Sequence, residues 1–354
     1  MYYPDQRIIS PYTVIRHDVT LPDEASGAVR VNDGKRVDIR DMVVNGVIPT
    51  GYIIVEAAAQ LRLRKGDDLP DLMQVNLRDV VDEDQVIAKR GRREVTAPIR
   101  GIVEQVKDGR IILQKVPQII DIEAGVRGRV IEIMDGRGVV IEAVGARVQG
   151  MWGNGKQTIS PLRPGPEGDL SNLAAESLET RYAGSVVLTR RPLTRKGLQT
   201  ASVQALAGII APSMEADLRR LALAHDSAII LTEGFGSARM NNTAYSLLAE
   251  LEGQQVNLDA STPDRWETRY PEIIVNVPSG DRRPSKANTR LVLRPNATVR
   301  LTREPHLGAT GKVIDLPKSP VLLDNGLRVM CAQVQLVAGD TLHVPLANLE
   351  VLGR

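Results

Sequence analysis

The stretch GRVIEIMDGRGVVIEAVGARV, residues 128–148, alternates apolar and polar residues on either side of an Asp135-Gly136 pair. Successive side chains of a strand point to opposite faces, and Asp-Gly suits the positive φ of a tight turn, so the pattern specifies a hairpin. Val130, Ile131 and Ile133 lead into that turn, and Val139, Val140 and Ile141 lead out of it. The same grammar fills the N-terminal third. Val29 and Val31 alternate with polar neighbours, Asn32-Asp33-Gly34 is a turn signal, and Val37, Ile39, Val43 and Val44 continue the β reading. In that third, only Ile54 to Leu63, IVEAAAQLRL, reads as a short helix.

The period changes between Gly184 and about Val277. GSVVLTR, ALAGIIAP and SAIILTEGFG read as buried strands, and SMEADLRRLALAH reads as a helix with Ser213 as its N-cap. MNNTAYSLLAELEG places Met240, Ala244, Leu247, Leu248 and Leu251 on one helical face and ends at Gly253. Strands alternating with helices of this length predict a small parallel sheet of the doubly wound kind. Upstream, Pro161, Pro164, Gly165, Pro166 and Gly168 mark residues 160–172 as the expected break. Past a second polar stretch, PSGDRRPSKANT, β alternation returns and predicts a small barrel of roughly five strands.

A chain of 354 residues exceeds one ordinary core. The expected fold class is multidomain β plus α/β. A β-rich module over residues 1–115 precedes a hairpin extension at 116–160 and a linker at 161–180. A small Rossmann-like α/β domain at 181–280 and a barrel at 281–354 complete it.

Three resemblances attach to these parts. VTAPIRGIVEQVKDGRIIL, with Pro98 and Gly101 opening a strand and a turn at Asp108-Gly109, resembles the closing half of the barrel-sandwich hybrid of biotinyl and lipoyl carriers. That resemblance implies a barrel-sandwich-like N-terminal fold, but there is no Met-Lys-Met tip to carry a cofactor. The C-terminal segment resembles the KOW motif of ribosomal and transcription-elongation proteins, an SH3-like barrel. Val299, Arg300 and Leu301 start a strand, Gly308 and Gly311 stand at the family's glycine positions, and Lys312 and Val313 begin the next strand. Glu304 stands where that family has its first loop glycine. The chain as a whole, through GVVIEAVGARVQGMWGNG and ILTEGFG, resembles a bacterial multidomain family, and this likeness implies no activity.

Candidate chemistry is sparse. GMWGNGKQ, residues 150–157, nearly spells a phosphate-gripping loop, but Gln157 replaces the metal-binding hydroxyl and prolines stop any following helix. It reads as a glycine-rich turn closing a β module, with Trp152 over its end. LTEGFGSARM is the better ligand candidate, because it lies at the C-terminal end of a buried strand and just before a helix. There Glu233, Gly234, Gly236 and Ser237 would offer a carboxylate and backbone N–H groups. The basic residues Arg282, Arg283, Lys286, Arg300, Arg303 and Lys312 are the candidate nucleic-acid contacts. With aromatic residues at 3% and Phe235 the single phenylalanine, stacking platforms for bases are scarce.

His17, His225, His306 and His343 have no ligand spacing, so no metal and no cofactor is expected. The single Cys331 lies in an alternating run and reads as a buried, inert thiol, which fits a reducing cytoplasm. No charged leader with an apolar core opens the sequence, and no run of eighteen apolar residues occurs in it. Net charge is +2, which by itself names no partner. The leading expectation is a non-enzymatic scaffold that contacts itself or other proteins as a homo-oligomer. The others are a nucleic-acid-associated factor using the KOW-like barrel and a small-ligand domain acting through Glu233 to Ser237.

Overall fold

The structure, a computed structural model, describes residues 5–48, 51–64, 68–166, 170–173, 180–261, 270–277, 284–286, 292–303 and 305–353. It is strand-rich, with 48% strand and 14% helix, and most strands belong to one large mixed sheet.

The chain opens with β1 (Asp5–Thr20), β2 (Ser26–Val29), β3 (Arg36–Val37) and β4 (Met42–Ile48). It then builds a self-contained unit from β5 (Tyr52–Val55), α1 (Ala57–Leu61), β6 (Val80–Val81), β7 (Val86–Arg90), β8 (Arg93–Thr96), β9 (Gly101–Lys107) and β10 (Arg110–Lys115). Leu61, Leu69, Ile87, Val95, Ile111 and Leu113 fill the core of this unit. The expected helix over 54–63 is therefore shorter, because Ile54 and Val55 pair with β10 as strand. The chain returns through β11 (Gln118–Glu123), which lies antiparallel to β4 with Gln118 opposite Ile48. Residues 52–115 are thus inserted between β4 and β11, which with β2 form a three-stranded sheet.

The hairpin read from the sequence follows as β12 (Gly128–Met134) and β13 (Gly138–Gln149), with Gly136 at φ +66° in the turn. β13 also pairs with β1, so Ile15, Val43, Val130, Val139 and Ile141 share one core.

Next come β14 (Trp152–Gly153) and β15 (Gln157–Pro164), where the sequence had predicted a break. β15 is an interior strand despite its prolines. It runs antiparallel to a later strand up to Pro161 and parallel to another from Leu162 to Pro164. Pro161 stands at the handover, and the ladder bonds nearby are donated by Leu162 and Gly165, which have the N–H that proline lacks.

The α/β part comprises β16 (Val186–Leu188), α2 (Arg195–Val203), β17 (Gly208–Met214), α3 (Arg219–Ala224), β18 (Ala228–Phe235), α4 (Asn242–Glu250), β19 (Gln255–Asp259) and β20 (Glu272–Asn276). β16 to β18 pair in parallel in that order, and β15, which the sequence had not marked as a strand, adds to them beside β16. Ser213 does not cap a helix. It lies inside β17, and its Oγ donates to the Ala238 carbonyl at 2.8 Å. α3 starts later, after a 3-10 turn over Ala216–Leu218. β19 pairs with β15, and β20 pairs with β13, so this part is continuous with the N-terminal sheet.

The last elements are β21 (Ser285–Lys286), β22 (Thr298–Leu301), β23 (Thr310–Asp315), β24 (Val321–Leu322), β25 (Arg328–Val329), β26 (Cys331–Leu336), β27 (Thr341–Pro345) and β28 (Leu349–Gly353). Pairing runs β27-β26-β23-β22-β28 around a core of Val299, Val313, Val334, Leu349 and Val351. β1 then adds a strand: Asp5 to Ile8 lie parallel to β28, before the rest of β1 continues into the central sheet.

Candidate functional site

Cross-strand register places Arg300 of β22 opposite Glu350 of β28, with Asp5 of β1 opposite Glu350 on its other side. Both parities of these strands are buried, so charged residues there are enclosed, and enclosed charge must find a partner. Four alternate in sign. Arg7 Nε meets Glu350 Oε1 at 2.6 Å, Glu350 Oε2 meets Arg300 at 2.6 Å, and Arg300 reaches Glu233 at the end of β18. Their side chains are between 3% and 6% exposed. The ends are tied to backbone. Arg7 donates to the Thr232 carbonyl, while Glu233 Oε1 accepts from the Asn241 N–H and the Thr232 hydroxyl, each at 3.3 Å. Burial pulls the Arg300 pKa down to about 10, with Glu350 resisting and Arg7 adding to the fall, so at neutral pH it remains a cation.

Two residues assigned by sequence to separate sites, Glu233 and Arg300, are therefore one buried ion pair. Neither side chain faces solvent, so Glu233 is occupied as a counter-ion and the Arg300 guanidinium is turned away from any phosphate backbone. Gly234 and Gly236 have φ of +90° and +125° and turn the chain at the sheet's end, where the Gly236 N–H donates to Met214. Ser237 is exposed beyond them. Arg303 and Lys312 are exposed on the barrel, Lys286 falls in β21, and Arg282, Arg283 and Glu304 lie outside the described residues. Sequence reasoning missed Arg7 and Glu350. The available signal was a single charge inside an otherwise apolar strand, as in ANLEVL.

The glycine-rich loop is held by protein partners. The N–H groups of Gly150, Met151, Asn154 and Gly155 donate to the carbonyls of Pro271, Leu231, Ile229 and Ala260. Asn154 is buried, with its amide bonded to Ala222, Ser227 and Ile229. Trp152 packs against Phe235 with ring centroids 5.4 Å apart, and strand β15 follows where a phosphate loop has a helix. The backbone donors that would wrap a phosphate are thus already used.

Of the histidines, His225 is buried and bonds Ser202, Leu198 and Ser227. Among the described residues no group of His, Cys, Asp or Glu is arranged to hold a metal. Burial pushes the Cys331 thiol pKa up.

A different kind of surface lies on the inserted unit. Its sheet runs β5-β10-β9-β6, and the cross-strand pairs Ile54–Ile112–Gln105 and Tyr52–Gln114–Ile102–Val80 fall on one face. The opposite face carries Val55, Ile111, Leu113, Val103 and Val81 into the core. Tyr52, Ile54 and Val80 are 60%, 56% and 55% exposed. Lys107 and Arg110 stand only at the rim, opposite each other. Both edge strands, β5 and β6, lack a second partner among the described residues.

These features define a strand-rich protein built on one large mixed sheet, in which no helix among the described residues is long and apolar enough to cross a membrane. No protein-family model matches the chain, and no curated protein matches it.

Proposed function

We propose that the protein is a non-enzymatic scaffold that works through protein–protein contacts and self-associates, with a second copy as the partner of the outer β5-β10-β9-β6 face. The observation that carries this reading is that face: Tyr52, Ile54, Ile102, Ile112 and Val80 with two glutamines, its charges being Glu104 at the β9 bulge and Glu56, Lys107 and Arg110 toward one end. Sheet faces turned to water are ordinarily polar, and contiguous exposed apolar surface marks interaction sites. The charges beside it are of both signs, Glu56 and Glu104 with Lys107 and Arg110, so a two-fold contact with a second copy need not set like charge against like. Open edges at β5 and β6 add backbone donors and acceptors to the same region. The unit has a core of its own, separate from that of the sheet that carries it. The buried thiol of Cys331 agrees with work in a reducing compartment such as the cytoplasm.

Mass in solution tests this. Light scattering coupled to size exclusion, over a hundredfold concentration range, is expected to give a species above the 38.6 kDa of one chain. Ile54→Asp with Val80→Asp, both outward-facing, is expected to return it to that mass with unchanged circular dichroism. A wild-type monomer throughout the range would sink the reading.

A further inference from the structure

Where the parallel sheet ends, the segment after β18 and the β22–β23 loop of the barrel enclose a cleft of about 600 Å³, a size typical of small-molecule sites. One wall presents Ser237, Arg239, Asn241 and Asn242, together with Arg190 from the turn after β16. The other is apolar, with Leu307, Leu336 and Val337.

The charge of the first wall is one-sided. Arg190 donates to Asn242 Oδ1 at 2.7 Å and lies over the Tyr245 ring at 5.2 Å, contacts that position its guanidinium without neutralising it. Arg239 is exposed and has no carboxylate partner among the described residues. Among the described residues no Asp or Glu lines the cleft, and Glu233, which accepts the Asn241 N–H, is already balanced by Arg300. α4, nine residues long, starts at this wall, so its dipole adds positive potential.

An independent observation comes from Asn241. It is 6% exposed, and its Oδ1 caps α4 by accepting the Thr243 N–H at 2.8 Å. Its Nδ2 has no acceptor among the described residues. Capping requires only the oxygen, which Ser or Asp would supply equally. A buried donor without an acceptor is rare in folded proteins, and an acceptor brought by a ligand would satisfy it.

We propose that this cleft binds a phosphate-bearing small molecule, with the oxyanion held by Arg190, Arg239 and Asn241 Nδ2 at the start of α4. The remainder of the ligand rests on Leu307 and Val337.

Isothermal titration of the full chain with inorganic phosphate and with phenyl phosphate tests the site. Saturable binding is expected. Tighter binding of phenyl phosphate assigns a phosphomonoester with an apolar body, equal affinity assigns free phosphate, and both support the site. Asn241→Asp keeps the capping oxygen and suits a helix N-terminus, so its melting temperature holds or rises, while its charge weakens binding by about tenfold or more. Arg239→Ala is expected to weaken binding by about tenfold with the melting temperature unchanged. No saturable heat with either probe, or Asn241→Asp binding as tightly as the wild type, overturns the proposal.

Discussion

Arg300 is the middle cation of a neutral buried chain, and its removal leaves Glu233 enclosed without a counter-charge. Arg300→Met is expected to lower the unfolding free energy by about 3–5 kcal/mol in a urea titration. The double variant Arg300→Met, Glu233→Gln leaves Arg7 and Glu350 balanced, and it is expected to lose less than the single change. A double variant no more stable than the single one would refute charge compensation. Asp38 gives the pH prediction. The Ile39 N–H foremost, then the Arg127 guanidinium, hold its carboxyl below the ordinary 3.8. Because the folded-state pKa is depressed, the associated stability is present above 3.8 and is lost as pH falls through the folded value. An NMR titration should place its midpoint below 3.8, and Arg127→Ala should raise it only part of the way, since the backbone donor remains. Glu233 and Arg300 stood out in the sequence as a candidate ligand carboxylate and a candidate phosphate contact. That they meet each other was not, because alternation reports which face a residue occupies and not which distant strand lies beside it.

At the scale of elements, local signals performed according to their range. The β12–β13 hairpin was readable because its turn and both alternating arms are contiguous, and α4 was readable from an apolar face beginning just after Asn241. β15 was not, since Pro161 and Pro164 oppose strand locally and only the pairing partners on either side make it one. Ser213 misled for the same reason: β17 is extended by its pairing with β18, which overrides a good cap residue. The glycine-rich loop gives a discriminating experiment. A Cβ on Gly153 would fall on the Ala260 carbonyl, whereas Lys156 is only loosely paired with Asp226 at 3.8 Å. Gly153→Ala should cost about 1–3 kcal/mol in thermal unfolding, and Lys156→Ala less than about 0.5 kcal/mol. A larger effect at Lys156 would show that its side chain does more than pair with Asp226.

On the scale of the whole molecule, the boundaries read from composition do not coincide with the cores. β4 and β11 pair across residue 115, and β15 and β20 join the α/β part to the N-terminal sheet. By contrast, residues 52–115 have a core of their own. Replacing residues 49–117 by a two-residue Asn-Gly turn between Ile48 and Gln118 is expected to leave the rest folded, because such a turn fits paired antiparallel ends. Loss of the remaining tertiary signal in near-ultraviolet circular dichroism would contradict this.

The parallel pairing of Asp5–Ile8 with β28 has a consequence for synthesis. During translation the first described strand leaves the ribosome long before its neighbour β28 has been made. Contacts between residues so distant in sequence close the largest loops and form slowly. The barrel's last seam therefore zips only after β28 has been made, and until then the β1 segment that fills it is an unpaired edge.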